Sequence, residues 1–286
     1  MVPPVSNPCR LFLVMLTAIT RGVSPAMVNC ELTFMARAPI HLAKAVEQHR
    51  EYEQVLEKFG AKVISLPPEP TLADSMFVED PAMVLDEVAL IFPLGTESRR
   101  AEAASLAKAL ARFRELKYVT LPGTAEGGDI LRVDRQLFAG LSKRTNEAGI
   151  RQLQSIVENY GYTVTAVPVS GCLHLKSAVT FLGRNTLLAN RKWFDASCVP
   201  GFEWIEVAPE EPHAANALAF GGTVILPASF PLTRARIEAR GFTVLPLDIS
   251  ELQKAESGLT CSSLLFNAKP TPGQKRPPES TSGRSN

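Results

Sequence analysis

The sequence predicts one α/β domain made of five copies of a helix-then-strand unit, closed radially so that its loops meet at a central channel. Three observations lead there. A helix-periodic apolar face followed by a short strand-like run recurs at roughly 40 to 55 residues, the spacing of repeat architectures. Further strands precede several helices, Val88–Phe92 and Gln136–Ala139 among them, so each unit is rich in strand. No glycine-rich phosphate fingerprint follows any strand, which argues against the doubly wound sheet that alternating helices and strands would otherwise suggest.

The chain begins with a Pro-rich stretch, Met1 to Pro8, and residues 1–16 are set apart as an extension. The apolar run Leu11 to Ile19 after Arg10 resembles a signal-peptide core, but no small-residue cleavage site follows it. It is also far shorter than the roughly 20 residues that span a bilayer, and a buried first strand fits it better. In the first unit Leu42, Ala45, Val46, His49, Tyr52 and Leu56 share a helix face over His41 to Phe59; Gly60 stops the helix and Ala61 to Leu66 reads as a strand. The second places Leu106, Leu110 and Phe113 on a helix before the strand Lys117 to Leu121. The third runs from Ile150, Leu153 and Val157 to the strand Tyr162 to Val167. The fourth keeps its strands, Thr186 to Ala189 and Phe202 to Val207, with only a weak helix between them, and the last pairs a helix from Thr233 to Arg240 with the strand Phe242 to Pro246. Residues 17–267 form the expected domain, and the polar, Pro- and Ser-rich stretch 268–286 reads as a disordered tail.

Composition narrows the function. Across 286 residues, 45% apolar and 21% charged side chains describe a globular protein with a sizeable core. A net charge of +1 points neither to nucleic acid nor to a membrane surface, so the expected partner is a small molecule. Five scattered cysteines without a C-x-x-C pair and only four histidines offer no structural zinc site, and so sparse a set suits the cytoplasm. No metal or cofactor is expected.

Chemistry-bearing residues gather at the ends of apolar runs. Cys261 stands between the turn Ser257-Gly258 and the run Leu264-Leu265-Phe266; on that stretch alone an inert thiol is the better reading, since free Cys is among the most buried residue types. Asp74 to Asp80 carries three carboxylates, Gly123 to Asp129 is a Gly-rich acidic turn, and Cys172 to Lys176 alternates His174 with leucines as a half-buried strand would. Each also has a plain reading as a solvated loop, a turn or a core histidine. Arg99 and Arg144 both come just before a helix, where the macrodipole disfavours a cation, so the repeat places them in equivalent loops near the channel mouth.

Together, FVED at 77–80, SRR at 98–100, EGGD at 126–129, SKRTN at 142–146, LHLK at 173–176 and GLTCSSLLF at 258–266 resemble the dimethylarginine dimethylaminohydrolases. The resemblance runs from about Ala18 to Asn267 and implies the five-bladed ββαβ propeller of the pentein type. It implies that Cys261 is the nucleophile, His174 the general acid and base, and Glu126 the acid that orients the histidine. Glu79 and Asp80 would hold the guanidinium beside Phe77, Asp74 the α-amino end, and Arg99 and Arg144 the α-carboxylate, with Leu32 on a lid loop. The implied ligand is a guanidino amino acid, and a homodimer is an assembly the resemblance admits.

The chemistry asks for the same residue types. A guanidinium needs buried carboxylates of planar acceptor geometry, an α-carboxylate is best met by arginine, and carbon–nitrogen cleavage needs a nucleophile whose thiolate a nearby cation favours. Two departures stand out. Pro81 after Asp80 is deiminase-like, although Glu79 is not, and Ala255 is smaller than the expected branched residue, which would widen the pocket. The rivals are a hydrolase of arginine or citrulline and a non-catalytic binder of guanidino compounds, although a binder would need neither Cys261 nor His174.

Overall fold

The expected repeat folds as five three-stranded sheets, each with one strand order. The structure, a computed structural model, describes residues 15–268. In chain order the elements are β1 (Met15–Arg21), α1 (Leu42–Lys58), β2 (Lys62–Leu66), β3 (Ala82–Val84), β4 (Val88–Ile91), α2 (Glu102–Leu110) and β5 (Glu115–Tyr118). They continue with β6 (Ile130–Val133), β7 (Gln136–Leu141), α3 (Glu147–Val157), β8 (Thr163–Pro168), α4 (Leu175–Ala178), β9 (Val179–Gly183), β10 (Thr186–Ala189) and β11 (Glu203–Glu206). The chain ends with β12 (Leu218–Phe220), β13 (Thr223–Pro227), α5 (Pro231–Glu238), β14 (Thr243–Leu247), α6 (Ser250–Gln253) and β15 (Leu264–Ala268). In every blade the middle strand runs antiparallel to the inner strand and parallel to the outer one. The first blade is closed by the last strand, in the order β15-β1-β2.

Burial explains why these runs are strands. All four residues of β4 and of β10 are buried, so these two middle strands are covered on both faces. The outer strands β2, β5 and β8 alternate or stay half exposed. Helix α1 turns Ala45, Gln48, His49, Tyr52 and Leu56 inward. Leu56 is fully buried, and truncating such a leucine to alanine costs about 2–5 kcal/mol.

Several boundaries differ from expectation. Met15 and Leu16 belong to β1 and not to an extension; the expectations for residues 1–14 and 269–286 lie outside the described residues. Helix α2 ends at Leu110, leaving Phe113 beyond it. Strand β5 stops at Tyr118 instead of Leu121, because the Gln152 side chain of α3 takes both the N–H and the C=O of Thr120, at 2.9 and 2.8 Å. In the fourth unit a 3-10 turn, Ala196–Cys198, replaces the weak helix, and α5 starts two residues early, with Pro231 in its first turn. The expected strand at Cys172–Lys176 is instead a turn leading into α4, with His174 extended at the helix N-cap and the Leu175 N–H held by Asp129 Oδ1 at 2.9 Å.

Candidate active site

The fivefold repeat decides where the polar clusters meet. The inner strands β3, β6, β9, β12 and β15 are preceded in turn by Glu79-Asp80, Glu126, His174, Asn216 and Cys261. Five segments far apart in sequence therefore reach one end of the channel. A second ring comes from the loops after the middle strands, where Leu32, Arg99 and Arg144 lie.

Glu126 and His174 form the centre. His174 Nε2 and Glu126 Oε2 are 2.6 Å apart, and both side chains are buried. Burial alone would lower the imidazole pKa, but Asp80, the bond to Glu126 and Asp129 outweigh it and raise it to about 9. Burial likewise pushes Glu126 up, yet its bond to His174 and the nearby arginines hold it well below the usual carboxylate range. Gly128 makes room for the ring, since a Cβ there would lie 2.6 Å from His174 Nδ1.

The carboxylate pair is built by cross-blade contacts. Glu79 accepts from Lys176 Nζ on one oxygen and from Thr260 Oγ1 at 2.7 Å on the other, and burial raises its pKa despite Lys176. Asp80 Oδ2 takes Arg99 Nη1 at 3.0 Å. Asp80 Oδ1, buried and 3.9 Å from His174 Nδ1, has no hydrogen-bond partner among the described residues. An ionised oxygen left so is costly unless a cation or donor meets it.

Cys261 sits in the 3-10 turn Thr260–Ser262, with its Sγ 3.4 Å from the Gly258 N–H that points at it and its carbonyl accepting the Glu79 N–H at 3.3 Å. Burial and the charges of Glu79 and Asp80 push its thiol up to about 12, against the Gly258 N–H and Lys176. At neutral pH these shifts favour a thiol at Cys261 and an imidazolium at His174.

The remaining expected residues border this centre. Asp74, buried, accepts the Glu31 N–H at 3.1 Å, which fixes the start of the loop carrying Leu32. Phe77 and Ala255 lie in one core cluster with Leu259, and Leu32 and Cys261 pack on its edge. The space freed by a small residue at 255 thus opens within that cluster. Arg144 Nη2 reaches Thr33 Oγ1 at 3.1 Å, and its Nη1 lies 3.6 Å from Glu126 Oε1. Arg99 spends three donors inside the protein, one on Asp80 and two on Glu102 at 3.0 Å each. Its cation at the start of α2 is thereby compensated, because Glu102 is the first residue of that helix.

Five residues of this arrangement were not singled out from the sequence: Glu102, Lys176, Asn216, Thr260 and Glu256. Asn216 donates to Lys176 O at 3.1 Å and to Thr260 Oγ1 at 3.0 Å, and accepts the Thr260 N–H at 3.1 Å. Its place before β12, equivalent to that of Glu126 before β6, was the available signal. Glu256 Oε1 accepts the N–H groups of Thr33, Phe34 and Met35, pinning the loop beyond Leu32. Phe34, Met35, Leu173, His213, Phe230 and Gly258 line a cavity of about 290 Å³ beside the thiol turn.

Ligand atoms of Asp80, Glu126 and His174 fall within 4.8 Å of one another, a geometry that could hold a cation. An imidazolium offers no lone pair, however, so a metal would have to displace the proton that these carboxylates hold in place. Among the described residues no helix is long and apolar enough to cross a membrane.

A five-bladed ββαβ propeller whose inner-strand segments carry these groups to one end of the channel belongs to the guanidino-group-modifying class. The profile described as "N,N dimethylarginine dimethylhydrolase, eukaryotic" matches residues 31–191. The N(G),N(G)-dimethylarginine dimethylaminohydrolase of Pseudomonas aeruginosa is 37% identical over 226 residues, 78% of this chain and 89% of that protein. The protein of the same name from Streptomyces coelicolor is 37% identical over 249 residues, 86% of this chain and 95% of its own. The solved structure of a cysteine-to-serine mutant of the Pseudomonas aeruginosa enzyme, complexed with citrulline, superimposes with a TM-score of 0.83 at 35% identity, covering 88% of this chain and all of the other. The chain belongs to the dimethylarginine dimethylaminohydrolase family.

Proposed function

We propose that the protein hydrolyses Nω-methylated arginine to citrulline and the methylamine, through a covalent thiouronium on Cys261. The observation that carries this reading is the buried Asp80 Oδ1 without a partner, beside Glu79 and within reach of His174. A planar cation with several N–H groups fits such a pair of carboxylates. Its charge offsets the two that hold the thiol protonated, so substrate binding favours the thiolate.

In the first half-reaction the Cys261 sulfur attacks the guanidinium carbon; a C–S bond forms, and the C–N bond to dimethylamine breaks as the His174 imidazolium gives that nitrogen its proton. Neutral His174 then takes a proton from water, whose oxygen adds to the same carbon. As the C–S bond breaks, the hydroxyl added to the carbon gives its proton to the sulfur, replacing the one the thiol released to solvent on substrate binding, and citrulline leaves with the thiol restored. Glu126 supports His174 in both roles by holding Nε2. Arg144, with the outer N–H groups of Arg99, faces the substrate carboxylate, while Asp74 and the backbone at Leu32 serve its amino group. The reading needs no cofactor and suits a cytoplasmic enzyme formed by one domain, whose sheets run from Met15 to Ala268. A homodimer is one assembly that the reading admits, to be checked by light scattering.

The test is amine release. Asymmetric dimethylarginine should yield dimethylamine and citrulline in equal amounts, and Cys261→Ser or His174→Ala should lower turnover by at least roughly 10²–10⁴. Ammonia from arginine or citrulline as the main product would move the protein to the deiminase reading that Pro81 suggested. A haloacetamidine that fails to modify Cys261, together with no turnover, would leave only a binder.

A further inference from the structure

Asp129, the last residue of the Gly-rich acidic turn, has no part in the reaction above, yet it has no exposed surface. Its Oδ1 accepts the N–H of Leu175, the first residue of α4, and so holds the backbone next to His174 at 2.9 Å. Its Oδ2 accepts the hydroxyls of Ser142 and Thr145, at 2.7 and 2.8 Å. Thr145 Oγ1 in turn accepts the Glu126 N–H at 3.0 Å, and Ser142 Oγ accepts the N–H groups of Arg144 and Thr145 at 2.9 and 3.2 Å. Gly140 on β7 is needed for this approach, since a Cβ there would sit 2.7 Å from Asp129 Oδ1 and 2.9 Å from Leu175 Cβ.

The direction of these bonds is what matters. Each hydroxyl has one hydrogen and gives it to Asp129, which frees its lone pairs for the N–H groups of Glu126, Arg144 and Thr145. Only an acceptor on both oxygens allows that arrangement. We propose that Asp129 is the positioning residue of this site: through Leu175, Thr145 and Ser142 it sets His174 against Glu126 and holds Arg144 in place. The proposal rests on the hydrolase reading, for which these three side chains are the machinery. It also assigns a use to a carboxylate that burial otherwise penalises, raising its pKa to about 6. The charged groups facing His174 are Asp80 from the segment before β3 and Glu126 and Asp129 from the segment before β6, with Arg99 and Arg144 behind the first two. Removing the charge at 129 therefore lowers the imidazole pKa.

Asp129→Asn keeps the shape and reverses the polarity at one oxygen, so an NH₂ faces either the Leu175 N–H or the two hydroxyls that now donate to Asp129, and one side of the network loses its acceptor. The expected result is a folded protein whose kcat falls about tenfold or more, with a smaller rise in KM for dimethylarginine as Arg144 loosens. His174, followed by NMR titration, should lose about half a pKa unit or more, and the alkaline limb of the kcat profile should move with it. A folded variant with wild-type kcat and an unmoved His174 titration overturns the proposal. If Asp129→Asn does not fold, Thr145→Val decides: it keeps the charge but cuts the link to Glu126, so kcat should fall several-fold with His174 titrating as in the wild type, and an unchanged kcat overturns the proposal. The titration needs no turnover, so a wild-type chain inactive on dimethylarginine would defeat the hydrolase reading and still leave the Asp129 contacts testable.

Discussion

Occupying the carboxylate pair with a guanidinium should convert Cys261 from thiol to reactive thiolate. In the empty site the thiol is held at about 12 by burial and by the charges of Glu79 and Asp80. At pH 7.5 that leaves a thiolate fraction on the order of 10⁻⁵. A single positive charge about 4 Å from the sulfur, at an effective dielectric constant near 20, is worth about 4 kcal/mol, or about three pKa units. The bound-state value is then about 9 and the thiolate fraction a few per cent, roughly a thousandfold gain. Thiolate absorbance near 240 nm, titrated with and without a simple alkylguanidine and referenced to Cys261→Ser, measures the shift directly. The apparent pKa should fall by at least about two units on binding, and should do so less in Asp80→Asn. An identical titration in the free and bound protein would refute the reasoning, because the thiolate would then owe nothing to the substrate's charge.

Turnover should fall as pH rises through about 9, where His174 loses the proton it donates to the leaving amine. Glu126→Gln removes the charge and weakens the bond that raise this pKa, so the alkaline limb of the kcat profile should move down by about one unit. The same pair makes stability depend on pH: the raised His174 contributes fully below its unfolded value of about 6.5 and is lost as pH rises through about 9, while the depressed Glu126 is lost only in acid. Lys176→Met leaves Glu79 buried with Thr260 as its only donor, and breaking such a buried pair costs about 3–5 kcal/mol in chemical denaturation. With the Glu79 pKa raised further, KM should be higher at pH 6 than at pH 8 in this variant, whereas in the wild type the difference should be smaller.

Most of the fold could be read from the sequence because each blade repeats the same local conflict between a buried middle strand and a half-exposed helix. Runs such as Val88–Ile91 and Thr186–Ala189 have no polar face, so they had to be covered on both sides. The errors fell where a side chain from elsewhere overruled local pattern. Gln152 ended β5 by satisfying Thr120, and Asp129 turned the alternating Leu173-His174-Leu175 into a helix start by taking the Leu175 N–H. Neither contact leaves a trace within the segment that it reshapes.

The site divides along the same line. Asp80, Glu126, His174 and Cys261, the groups proposed for the ligand, each precede an inner strand, and the resemblance singled them out. Groups that answer those groups, Glu102 on Arg99, Lys176 and Thr260 on Glu79, Asn216 on Thr260, look like ordinary helix or turn residues until the blades close. The assignment of Arg99 shows what this changes. From the sequence it was one of two equal cations for a carboxylate, but bonded to Asp80 Oδ2 and twice to Glu102 it has a second task, to orient Asp80 with Oδ1 free. Burial acts to lower the Arg99 pKa, but Asp80 and Glu102 outweigh it and raise it well above the ordinary arginine value, so this cation stays charged at any working pH. A carboxylate oxygen can be left unpaired in so buried a place only while its twin holds such a partner, and on the proposed reading this leaves Asp80 Oδ1 free to meet a guanidinium.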